Sequence, residues 1–130
     1  MSENELLDIG EHKTLLLVDD DEPFVRRLAR AMEKRGFEVE VALTVAEGKS
    51  FALARPPAYA VVDLRLEDGN GLDVVETLRE KRPDSRIVVL TGYGAIATAV
   101  AAVKVGATDY LSKPADANDI VNALLATSDE

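Results

Sequence analysis

Residues 14–21 read TLLLVDDD, a strand-forming run without a charge that stops at three carboxylates. An apolar run of this length reads as a strand covered on both faces, and in a soluble protein that implies a parallel sheet with helices on either side. Working outward, Pro23 suits the first turn of a helix starting at Asp21 or Glu22. Phe24, Val25, Leu28, Ala31 and Met32 form its apolar stripe, and Gly36 supplies its stop. Residues 38–42 (EVEVA) alternate, as an edge strand or a strand with one wet face does. Thr44-Val45-Ala46-Glu47 has capping-box spacing and opens a helix through Ala54. Residues 59–63 (YAVVD) and 86–91 (RIVVLT) are two further buried strands. Between them lie a loop, Leu64 to Gly71, and a helix from Leu72 to Lys81. A helix from about Ala95 to Val105, a short strand from Thr108 to Leu111 and a helix from about Asp116 to Thr127 complete the chain.

Five strands alternate with five helices, so the class is α/β with right-handed crossovers. The first, third and fourth strands are apolar throughout and belong in the centre; the alternating second and the short fifth belong at the edges. The doubly wound order 2-1-3-4-5 satisfies both conditions. With 130 residues, one domain is expected, over 14–127, with flanks at 1–13 and 128–130. Fifteen Lys and Arg against 24 Asp and Glu give a net charge of −9, which disfavours direct contact with nucleic acid or an anionic membrane. There is no cysteine, and His12 is the single histidine. Disulfides, zinc–thiolate sites and thiol nucleophiles are thereby excluded, and any chemistry must come from carboxylates, hydroxyls and lysines. No secretory signal precedes Lys13, and Thr91–Gly94 breaks the uncharged stretch from Ile87 to Val103, so a cytoplasmic protein is expected.

In a sheet of this order, ligands bind beyond the carboxyl ends of the strands where the winding reverses. Those ends carry Asp19-Asp20-Asp21, Asp63, Thr91-Gly92 and, after the fifth strand, Ser112-Lys113-Pro114. Each has a plainer reading: Asp21 or even Asp20 as a helix cap, Asp63 as a turn residue, Thr91 as a strand end, Lys113 as a solvated cation. Together they make a site. Like charges 4 Å apart at an effective dielectric of 20 repel by ~4 kcal/mol, so Asp19, Asp20 and Asp63 call for a cation. Without His or Cys, that cation is hard and oxygen-loving, and Mg²⁺ fits better than Zn²⁺. A carboxylate beside Mg²⁺, a lysine and a hydroxyl can attack phosphorus and become an acyl phosphate.

The strings LLLVDDDE, VVDLRL, LTGYG and YLSKPA, in that order, resemble the receiver domain of two-component response regulators. More narrowly, DLRLEDGNGLDVV and LTGYGAIATAVAAVKVGATDYLSKPADAN look like the ActR/PrrA/RegA group of redox-responsive transcriptional regulators. The resemblance implies a flavodoxin-like receiver fold in a phosphorelay, with Asp63 accepting a phosphoryl group from a sensor histidine kinase. It implies Mg²⁺ held by Asp19, Asp20, Asp63 and the backbone carbonyl of Arg65, and phosphate contacts from Thr91, Gly92 and Lys113. It also implies a cis Lys113-Pro114 bond, an aromatic switch at Tyr110 working with Thr91, and no enzyme activity beyond the domain's own phosphorylation and dephosphorylation. Glu67 departs from the proline common four residues after the phosphoacceptor, and Arg65 and Tyr93 occupy positions that tune phosphoryl lifetime. That group carries a C-terminal DNA-binding domain; since the chain stops at Glu130, any contact with DNA is expected through a segment missing here.

Two rival readings exist. Gly92-Tyr93-Gly94-Ala95-Ile96-Ala97 matches a dinucleotide-binding GxGxxA turn, but it lies in the fourth βα unit and the next strand has no acidic residue at its end. Asp19 and Asp21 have the DxD spacing of a haloacid-dehalogenase-type phosphatase, whose cap domain does not fit in this length. For output, the fourth helix carries no charge from Ala95 to Val103. Ile96, Val100 and Val103 are expected in the core, leaving Ala97, Ala101 and Val105 as a surface for homodimerisation on phosphorylation.

Overall fold

The computed structural model describes residues 13–92 and 96–126 of the chain. His12, Tyr93 and the tail beyond Ala126 lie outside the described residues, as does nearly all of the 1–13 flank. Twelve elements follow in order among the described residues. They are β1 (Thr14–Val18), α1 (Glu22–Lys34), β2 (Glu38–Ala42), α2 (Val45–Ala54), β3 (Tyr59–Asp63), β4 (Arg65–Leu66), β5 (Gly69–Asn70), α3 (Leu72–Lys81), β6 (Arg86–Thr91), α4 (Ile96–Lys104), β7 (Asp109–Ser112) and α5 (Ala117–Leu125). The five long strands pair in parallel in the order β2-β1-β3-β6-β7, which is the expected 2-1-3-4-5 winding.

Alternation along the central strands divides the core in two. Leu16 and Val18 point to one face with Val62, Val89, Val75 and Leu78. Leu15 and Leu17 point to the other with Val25, Met32, Val88, Ile120 and Leu124. β2 is an edge strand as its alternation implied, with Glu40 reaching Arg55 at 3.5 Å. On α1 the buried residues are Val25, Leu28, Ala29 and Met32, while Phe24 and Ala31 are only half-buried. The expected capping box of α2 is half made: Thr44 Oγ1 accepts from Glu47 N, but Glu47 Oε1 accepts from Leu43 N rather than from Thr44 N. A complete capping box stands instead on α5, between Asp116 and Asp119.

Three expectations need correction. The loop from Leu64 to Gly71 contains a two-stranded antiparallel hairpin, β4–β5. The fifth long strand begins at Asp109 and not Thr108, because Thr108 Oγ1 accepts the Ile87 N–H and its own N–H bonds back to Ile87 O. The third concerns α4. Its fully buried residues are Ala99 and Ala102, whereas Ile96, Val100 and Val103 are 58, 45 and 43 % exposed. Leu78, Val75, Ile87 and Val89 already fill the core on this side, so the helix packs through its small residues. Of the residues expected on the output surface, Ala97 is exposed, Ala101 is half-buried, and Val105 packs against the core.

Candidate functional site

The carboxyl ends of β1, β3, β6 and β7 bring Asp19, Asp63, Thr91 and Lys113 together. Parallel pairing in register sets Val18 beside Val62, Asp63 beside Leu90, and Thr91 beside Ser112, so the residues after these positions share one edge. Asp19 is 2 % and Asp63 6 % exposed, unusual burial for carboxylates. Lys113 Nζ lies between them, 2.9 Å from Asp63 Oδ2 and 3.0 Å from Asp19 Oδ2. The Lys113-Pro114 peptide is cis, and Lys113 N donates to Thr91 O at 2.8 Å. Nζ also sits 5.2 Å from the centroid of the Phe24 ring, a cation–π contact no sequence pattern suggested.

Asp63 Oδ1 accepts from Arg65 N at 3.0 Å, and Asp19 Oδ1 accepts from Asp21 N at 2.9 Å. Asp21 is the helix cap of the plainer reading, accepting from Phe24 N. Asp20, exposed, accepts from Glu67 N at 3.1 Å. Burial raises the pKa of Asp19 and the neighbouring Asp63 charge adds to this, against the Asp21 N–H and Lys113. Burial alone would lower the pKa of Lys113; its hydrogen bond to Asp63 and its ion pair with Asp19 overcome that and hold it above its usual value.

Asp19, Asp20 and Asp63 each offer a carboxylate oxygen within 4.8 Å of the others. Asp19 Oδ2, though ion-paired with Lys113, is buried without a hydrogen bond of acceptable geometry. An unsatisfied buried carboxylate oxygen in an all-oxygen donor set fits a hard divalent cation. Thr91 is buried and directs its hydroxyl to Leu111 O at 3.5 Å. Thr91, Gly92, Arg65 and Asn70 line a cleft of about 220 Å³ beside the acidic cluster. Tyr110, on β7, is 37 % exposed.

Two further residues shape the site. A Cβ on Gly71 would come within 2.4 Å of Asp63 O and 2.8 Å of Val62 Cγ1, so glycine is required where the hairpin returns to α3. Asp68, on the tip of the hairpin, accepts from Val45 N and Ala46 N of α2. The turn-rich DGNG run signals a tight loop but not this partner, 22 and 23 residues away.

Residues 15–125 match the response regulator receiver domain. The chain belongs to that family. It is 78 % identical over 129 residues to the photosynthetic apparatus regulatory protein RegA of Rhodovulum sulfidophilum, spanning 99 % of this chain and 70 % of that protein. It is 66 % identical to the acid tolerance regulatory protein ActR of Rhizobium meliloti, spanning 90 % of this chain and 60 % of ActR. Among solved structures, a response regulator from Burkholderia pseudomallei with a phosphorylated aspartic acid, calcium ion and citrate superposes with a TM-score of 0.83 at 45 % identity, over 88 % of this chain and 67 % of that one. The GxGxxA and DxD readings give way to this assignment. This receiver therefore acts in two-component signalling, where phosphoryl groups come from histidine kinases, and its relatives are regulatory proteins. Among the described residues, no helix is long and apolar enough to cross a membrane.

Proposed function

We propose that Asp63 accepts the phosphoryl group of a sensor histidine kinase and that the resulting acyl phosphate switches this receiver between two states. The carrying observation is the placement of Asp63, buried, with Lys113 Nζ on one carboxylate oxygen and the Arg65 N–H on the other. A carboxylate oxygen attacks phosphorus in line, the bond from phosphorus to the kinase imidazole nitrogen breaks, and the imidazole leaves with that electron pair. Asp19, Asp20, Asp63 and the Arg65 carbonyl would hold Mg²⁺, which when bound neutralises charge on the transferred group. Lys113 supplies a second positive charge to a phosphoryl oxygen, and Thr91 and the Gly92 backbone supply hydrogen bonds. The same groups promote hydrolysis, so the domain governs its own phosphorylation and dephosphorylation rather than turning over a substrate.

Thr91 moves toward the phosphoryl group and Tyr110 follows into the vacated space, which reshapes the face bearing α4 and β7. That face offers Ile96, Val100 and Val103 to a second copy, in place of the expected Ala97, Ala101 and Val105 set. The match covers 70 % of RegA and 60 % of ActR, which leaves room in such proteins for a transcription-controlling output that contacts DNA. The setting is the cytoplasm; with no cysteine in this chain, a redox signal would arrive as phosphate from the kinase. Incubation with acetyl phosphate and Mg²⁺ is expected to add one base-labile phosphoryl group by mass. Unchanged labelling of Asp63→Asn would refute the assignment.

A further inference from the structure

The β4–β5 hairpin has strands of two residues each, too short to hold its own shape in water. Leu66, in the pair next to the turn, is buried in the core, but residues 67–70 are exposed. Two polar holds fix the tip. Glu67 N donates to Asp20 Oδ2 at 3.1 Å. Asp68 clasps the start of α2 from outside, Oδ1 accepting from Val45 N at 2.8 Å and Oδ2 from Ala46 N at 3.2 Å. These are first-turn N–H groups that the helix itself cannot satisfy, and a negative charge beside them is favoured. The helix has its own local cap, Thr44, which serves a different N–H, that of Glu47. Asp68 therefore does something Thr44 does not: it ties the hairpin to a helix distant in sequence.

We propose that Asp68 is a positioning residue for cation binding at the phosphoacceptor site. The hairpin it holds begins at Arg65, whose N–H bonds Asp63 and whose carbonyl stands in the proposed cation set. The inference rests on the cation site proposed above. The other hold depends on Asp20, itself in that set. Asp20 thus serves both the tip and the cation set, whereas Asp68 holds the tip from outside that set. Its carboxyl stays below the usual carboxylate range through the Val45 N–H bond, with the Ala46 N–H adding, and so remains charged at neutral pH.

Calorimetric titration of Mg²⁺ into the wild-type chain, Asp68→Ala, Thr44→Ala and Asp19→Asn tests this, with urea unfolding of each variant alongside. Asp68→Ala is expected to raise the Mg²⁺ Kd roughly tenfold, the usual scale for a group that orients a ligand, while Thr44→Ala destabilises α2 and leaves Kd unchanged. The Arg65 amide resonance should move in Asp68→Ala and stay in place in Thr44→Ala. An unchanged Kd in Asp68→Ala, with Asp19→Asn still weakened, overturns the role of Asp68 alone. Equal weakening in Asp68→Ala and Thr44→Ala overturns it too, since the loss would then come from the helix. A wild-type Kd that Asp19→Asn does not alter overturns the cation site and this inference together.

Discussion

Lys113 is the only described cation within ion-pair distance of Asp19 and Asp63, and it balances two carboxylates that would otherwise repel across a buried gap. Its side chain is 28 % exposed, so the pair lies between the surface and the interior in strength. Replacing it, as in Lys113→Ala, leaves both carboxylates buried and unbalanced, at an expected cost of about 1–3 kcal/mol. Mg²⁺ should then recover more stability in the variant than in the wild type, because it supplies the missing charge. Urea unfolding in EDTA and in saturating Mg²⁺ would measure both numbers. Equal stability of variant and wild type in EDTA would show that Lys113 carries no structural charge balance. Gly71 acts at the same scale by different means: it leaves room for the Asp63 carbonyl, which any side chain would strike.

At the scale of elements, α4 shows how size can overrule hydrophobicity. Two apolar stripes run along this helix, one large (Ile96, Val100, Val103) and one small (Ala99, Ala102). The greater apolar area belongs to the first, and burying it would be favoured by area alone. The space against β6 is already occupied by α3 and the strand's own side chains, and only methyl groups fit. Ala102→Leu is therefore expected to cost about 1–3 kcal/mol through overpacking. Val100→Glu should change stability by no more than about 0.5 kcal/mol, as an outward position does. Urea midpoints of the two variants decide the orientation; the reverse ranking would restore the large stripe to the core.

At the scale of the whole molecule, the winding order puts the acidic cluster at one end of the sheet and α4 and β7 beside it, so a change at Asp63 has a short route to an exposed apolar face. A two-fold pairing through that face would be isologous, each α4 meeting its mate. Phosphorylated or beryllofluoride-bound protein is expected to sediment as a dimer and the unmodified protein as a monomer. Val100→Glu should abolish the dimer while Asp63 still takes up phosphoryl groups. A monomer in both states at high concentration would remove this surface from the output.

The residues of the sequence determined the strand order, the edges and the polar strand ends, because each follows from burial pattern and chain order: Leu15–Val18, short, apolar and stopped by carboxylates, reads as a doubly covered strand, and parallel winding then gathers Asp19, Asp63, Thr91 and Lys113. Asp21 as a cap was legible for the same local reason, since a cap bonds within its own helix turn. The hairpin at Arg65–Asn70, the Asp68 clasp on Val45 and Ala46, the Phe24–Lys113 contact and the facing of α4 were decided only in the tertiary structure. Each depends on partners distant in sequence or on how much volume other elements had already filled, and neither quantity is written in local periodicity.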